Sequence, residues 1–120
     1  MPKLIKQAAV IGLGVVGMEA TRTIAAGGIN VLAIDKDENV AKKVDCLQKS
    51  NIVVMVLDAT NLEALLKSGL KEVDLVFITV KDLGESISII QNVLDLGITE
   101  IIARADDERN AKILRKVGAT

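Results

Sequence analysis

Histidine, tyrosine and tryptophan are absent from this chain, and phenylalanine and cysteine each occur once in 120 residues. Without histidine the commonest general base and the commonest metal ligand are gone. A dehydrogenase, hydrolase or zinc enzyme would have to work without it, so no catalytic residue and no metal site is expected. The lack of Tyr and Trp removes the stacking platforms that single-stranded nucleic acids use. The formal net charge of −1 comes from interspersed acids and bases with no basic stripe, so nucleic acid is not an expected partner. A lone cysteine, Cys46, cannot form an intramolecular disulfide; it reads as an inert thiol in a helix, in a cytoplasmic protein. No apolar run approaches the roughly 18 residues of a membrane-spanning helix, so direct membrane insertion is not expected. Residues 1–7 are too short and too polar for a secretory signal.

What is present is aliphatic: hydrophobic residues make up 50% of the chain and aromatics 1%. One domain over residues 1–120 is expected, with a core of Ile, Val, Leu and Ala that suits a buried parallel sheet. Strands are read over 7–11, 30–34, 52–57, 74–80 and 100–104. Helices are read over 15–26, 38–47, 83–96 and 107–117, with a short one ending at Ser68 and capped by Thr60 or Asn61. The run 52–57 is continuously apolar, as expected of a strand covered on both faces. Strict β-α alternation with right-handed crossovers predicts a doubly wound α/β fold, with strand order 3-2-1-4-5 and a ligand above the carboxyl ends of the strands. The helix at 83–96 carries two apolar stripes, 87/90/94 and 89/93/96. One suits its own sheet. The other is expected to form a subunit interface, unless the last helix covers it.

The segment Gly12-Leu13-Gly14-Val15-Val16-Gly17 follows the first strand and opens the first helix. In a Rossmann-like fold each glycine has a distinct task. Gly12 makes the tight turn, Gly14 lets the backbone approach a pyrophosphate, and Gly17 lets helix and strand pack closely. The helix N-terminus offers N–H groups and a partial positive charge to the phosphates. Asp35 ends the second strand at about the twenty-residue spacing of a ribose-binding acid. It can accept both ribose hydroxyls and it repels a 2′-phosphate. The expected ligand is therefore NAD(H), ATP, ADP or AMP, and not NADP. Lys36 either softens that repulsion or is a solvated lysine. Asp58 and Ala59 end the third strand and either lie beside the expected adenine, where a carboxylate and a backbone N–H can pair with the base, or form a plain turn with a helix cap. Thr79 is either a phosphate or ribose contact or an ordinary strand threonine. Arg104 either reaches a phosphate or a partner's acid, or pairs with the acidic run 106–108.

Together GLGVVG, Asp35, LDAT at 57–60 and the segment 101–119 resemble the TrkA-N domain, also called the KTN or RCK N-terminal domain, of regulators of potassium transport. The resemblance covers nearly the whole chain. It implies a cytoplasmic regulatory subunit peripheral to the inner face of the membrane, held there by a potassium channel or transporter. Such a subunit binds NAD(H), ATP or ADP and assembles into dimers and rings that gate ion flow. Carried over, Gly12, Gly14 and Gly17 hold phosphates, Asp35 holds ribose, Asp58 and Ala59 face adenine, and Arg104 is the basic residue ending strand five. Three positions depart from the pattern: Val15 where ATP-using members often carry arginine, Leu57 where the family has glycine, and the glycine-free turn 80–82. The family's sixth strand is missing or lies beyond the chain end, which suggests a truncated or minimal lobe. The start at Met1, close to the first strand, suggests a separate subunit. The alternative is an isolated NAD-binding lobe of a dehydrogenase, which would need a substrate domain and an acid/base group not read here.

Overall fold

Parallel pairing of short aliphatic segments builds the centre of the molecule. The computed structural model describes residues 4–45, 47 and 49–120; Cys46 lies outside them. In chain order the elements are β1 (Gln7–Ile11), α1 (Val15–Ala26), β2 (Asn30–Asp35), α2 (Glu38–Asp45), β3 (Ile52–Val56), α3 (Leu62–Lys67), β4 (Leu75–Ile78), α4 (Leu83–Asp95), β5 (Ile101–Ala103) and α5 (Glu108–Val117). A single 3-10 turn at Leu70–Glu72 follows α3. The sheet is parallel throughout, in the order β3-β2-β1-β4-β5. This is the Rossmann-like doubly wound arrangement that the β-α alternation predicts.

Alternation along the strands splits the core in two. Val10, Val31 and Ala33 face Ala25 of α1 and Val44 of α2 on one side. On the other side Ala9, Ile11, Val76 and Ile78 face Leu65 of α3, Ile90 and Val93 of α4 and Leu114 of α5. Both faces of the central strands are thus sealed by helices, as buried parallel strands require.

The register aligns the carboxyl ends. Ile11 lies opposite both Ile34 and Ile78, Asp35 opposite Val56, and Ile78 opposite Ala103. The residues just past the strands therefore emerge together on one edge of the sheet: Gly12, Lys36, Leu57, Thr79 and Arg104.

Two sequence expectations change. The run at β3 is not covered on both faces, because strand order puts it on the edge of the sheet, with Val53 60% and Val56 50% exposed. The second stripe of α4 is not bare. Ile90 is buried, and Ile87 and Leu94 pack against the same core cluster. At the end of α5 a side-chain carbon on Gly118 would come within 2.5 Å of Leu94 Cδ1, so the last helix closes over the stripe. β4 and β5 are also shorter than read: Thr79 and Arg104 leave strand geometry at the carboxyl edge of the sheet.

Candidate functional site

At the carboxyl edge, five strand ends and the start of α4 enclose a cavity of about 490 Å³. Eleven of the twelve expected residues line it: Gly12 to Val16, Asp35, Lys36, Asp58, Ala59, Thr79 and Arg104. Gly17 does not line it. That glycine is buried under the turn, and a β-carbon there would lie 1.7 Å from the Gly12 carbonyl oxygen. Its task is the close packing of α1 on the turn.

The turn is held from both flanking strands. On the β2 side the Leu13 N–H donates to Asp35 Oδ2 at 2.7 Å, and the Gly12 N–H donates to the Ile34 carbonyl at 2.8 Å. On the β4 side the Thr79 hydroxyl faces the Gly12 and Ile11 carbonyls and donates to that pair, the shorter contact being to Gly12. Gly12 itself sits at φ +99°, the left-handed region that glycine enters without steric cost. Leu13 is buried in the core cluster beneath α1 and α2. Thr79 thus serves to hold the turn, and Leu13 anchors it.

Gly14 is exposed, and a β-carbon there would meet nothing within 4 Å. It opens α1, which has no side-chain cap and no acid in its first turn. By contrast Asn61, Asp82 and Asp107 each accept a backbone N–H at the starts of α3, α4 and α5. Open space above Gly14 and an uncapped helix N-terminus suit a phosphate group. Val15 and Val16, 90% and 44% exposed, form an apolar lip beside it.

The cavity's far end lies between the ends of β2 and β3 and the first turns of α4. Asp35 uses its second oxygen to accept the Asp37 N–H at 2.8 Å. Each carboxylate oxygen has a second acceptor site, so ribose hydroxyls remain within its capacity. Asp58 Oδ1 accepts both the Thr60 hydroxyl at 2.6 Å and the Thr60 N–H at 3.0 Å. The Thr60 hydroxyl bond, then its N–H bond, and Lys36 nearby hold this carboxyl below its ordinary value. The carbonyl of Ala59 is taken by the Asn92 amide of α4 at 3.0 Å. Asn61, not Thr60, caps α3.

Lys36 is not a free lysine. Its Nζ lies 2.6 Å from Glu85 Oε1 on α4, and that carboxylate, before Asp58 and Asp35, pushes its pKa up. Sequence reading missed Glu85, although Asp82 three residues before it marks a helix start and therefore a first-turn acid facing the sheet edge. Arg104 contacts Asp106 at 3.5 Å, so one member of the acidic run 106–108 does pair with it. Among the described residues no cluster of three or more His, Cys, Asp or Glu could hold a metal ion.

A model of the TrkA-N domain matches residues 8–120. The chain belongs to the TrkA-N domain family. Its relatives include an uncharacterized protein of Mycoplasma genitalium, 34% identical over 109 residues, covering 91% of this chain and 47% of that protein. Ktr system potassium uptake protein C of Bacillus subtilis (strain 168) is 32% identical over 118 residues, covering 95% of this chain and 51% of that protein. This TrkA-N domain therefore spans about half the length of the curated relatives it matches. Among solved structures, the GsuK channel bound to NAD superposes with a TM-score of 0.80 over 99% of this chain and 21% of that one, at 13% identity. That likeness is one of fold. Among the described residues of this TrkA-N domain, no helix is long and apolar enough to cross a membrane.

Proposed function

We propose that this domain is the nucleotide-sensing part of a cytoplasmic regulatory subunit of potassium transport. Its ligand is NAD(H) or an adenine nucleotide (ATP, ADP or AMP) rather than NADP, laid with its phosphates over Gly14 and its adenosine between Asp35 and Asp58. The observation that carries this reading is the prebuilt turn with open space above Gly14 and an uncapped α1 behind it. Membership of the TrkA-N family and kinship with a potassium uptake protein support the transport assignment. The likeness of fold to a channel bound to NAD supports the ligand class. No His or Tyr is present to exchange protons with a substrate, which supports sensing over a dehydrogenase lobe.

Regulation requires that the nucleotide bind one assembly shape better than another; equal affinity for both would regulate nothing. The partner is a membrane potassium channel or transporter at the inner face of the membrane, together with further copies of this chain as a dimer or ring. Self-assembly rests here on the family resemblance.

Calorimetry against NAD⁺, NADH, ATP, ADP, AMP and NADP⁺ tests the ligand. At least one of the first five binds, and NADP⁺ binds more weakly than NAD⁺. Asp35→Asn is the informative variant: it removes the charge and leaves an oxygen for the Leu13 N–H, at the loss of the acceptor for the Asp37 N–H, so its fold is checked alongside its affinity. We expect it to weaken binding by about tenfold. Unchanged affinity would sink the ribose assignment.

A further inference from the structure

Lys36 directly follows the strand-ending acid and lines the adenosine end of the cleft. On this fold a cation near that acid is what accommodates a phosphate on the ribose 2′ position. Taken from the sequence alone, Lys36 would therefore blunt the preference that Asp35 sets. The structure gives that lysine another partner. Its Nζ sits 2.6 Å from Glu85 Oε1, reaching from the end of β2 to the first turn of α4. The two residues are 49 positions apart, so the fold, not local sequence, brings them together. Asp82 caps α4 by accepting the Glu85 N–H at 2.9 Å, which fixes where Glu85 starts. Glu85 is also the less exposed partner, with its side chain 35% exposed against 60% for Lys36.

The charges at this end are uneven. Asp35, Asp58 and Glu85 supply three carboxylates, and Lys36 lies close enough to feel all of them. The other cations lining the cavity, Lys81 and Arg104, follow β4 and β5. A 2′-phosphate would therefore meet Asp35 and Glu85 while the nearby ammonium is drawn toward Glu85. A charge-assisted bond to phosphate needs an available donor.

We propose that Glu85 is a specificity-determining residue: by holding Lys36 across the cleft, it keeps the adenosine end selective for a free ribose 2′-hydroxyl over a 2′-phosphate. This rests on the proposed nucleotide site and adds a residue outside the glycine turn and Asp35 to its selectivity. Glu85 acts through Lys36 and through its own charge, and need not touch the nucleotide.

The test is the ratio of NAD⁺ to NADP⁺ affinity, measured by calorimetry on the intact chain. Wild type favours NAD⁺. Glu85→Ala narrows that preference by about three- to tenfold, mainly by strengthening NADP⁺ binding. Adding Lys36→Ala to Glu85→Ala cancels most of the gain, because the freed lysine is what receives the phosphate. Glu85→Gln, equal in size and uncharged, moves the ratio the same way and guards against a packing artefact. A ratio unchanged in both Glu85 variants, with NAD⁺ binding retained, would overturn the role of Glu85 while leaving the nucleotide site standing. Wild-type protein that binds neither dinucleotide nor any adenine nucleotide would overturn the site and this proposal together.

Discussion

Gly14 and Gly17 stand three residues apart in one turn and do opposite work. A methyl group on Gly17 would collide with the backbone carbonyl of Gly12, which cannot swing aside as a side chain can. Gly17→Ala is expected to cost about 3 kcal/mol or more in chemical denaturation. Gly14→Ala meets open space, so its cost is that of a poorer helix cap, about 1 kcal/mol or less. Its effect on nucleotide affinity should be far larger, because the new carbon occupies the space a phosphate would use. Folded protein with unchanged affinity would remove Gly14 from the site. At Asp58 the Thr60 hydroxyl is the first cause of a depressed carboxyl pKa. A group depressed on folding adds stability above its unfolded pKa and loses it as pH falls through the folded value. Thr60→Val should move the Asp58 titration up toward the ordinary carboxylate value in a carbon-13 NMR titration, and leave less stability to lose in acid. Lys36 runs the other way: its Glu85 partner raises its pKa above an already basic value, so any contribution of the pair is present at neutral pH and is lost as pH climbs through the raised value.

The helices differ in how they begin, and the difference was partly legible in the sequence. Asp107 Oδ1 accepts the Asn110 N–H at 2.8 Å and starts α5. Asp107→Ala should cost about 1 kcal/mol in denaturant unfolding, without moving nucleotide affinity. The five strands, five helices and sheet order could be read ahead of the structure because glycine stops, cap residues and parallel alternation all point the same way. Misreadings came where tertiary context overrides local pattern. An apolar run at β3 looked doubly covered, but position in the sheet, invisible to periodicity, leaves Val53 and Val56 half exposed or more. The second stripe of α4 allowed either an interface or cover by the last helix, and only the fold shows that Gly118 brings the end of α5 against Leu94. At the site, backbone-defined positions such as Gly12 and Asp35 were legible because the motif fixes them. Glu85 was not, because its partner lies 49 residues away. Thr79 was ambiguous for the same reason: only the fold shows its hydroxyl donating to the turn while the residue also lines the cavity.

At the scale of the whole molecule, binding and stability are linked. A nucleotide at about 100 times its Kd adds about 2.7 kcal/mol to a domain that binds it only when folded. For a domain of this size that is a rise of about 10 °C in melting temperature. A panel of nucleotides read by thermal shift should therefore separate ligand from non-ligand in one measurement. A flat panel at saturating concentrations would contradict the nucleotide site. The anchoring of the turn limits how such a signal could leave the domain. The glycine turn is bolted to β2 through Asp35 and to β4 through Thr79 by the chain's own hydrogen bonds. A turn braced from both sides has few loose torsions for a ligand to order, so the expected signal of occupancy is not a turn freezing into place. If a nucleotide binds as proposed, its effect is expected as displacement of rigid parts, and β2 with Lys36 and α4 with Glu85, which meet across the cleft, are where to look for it.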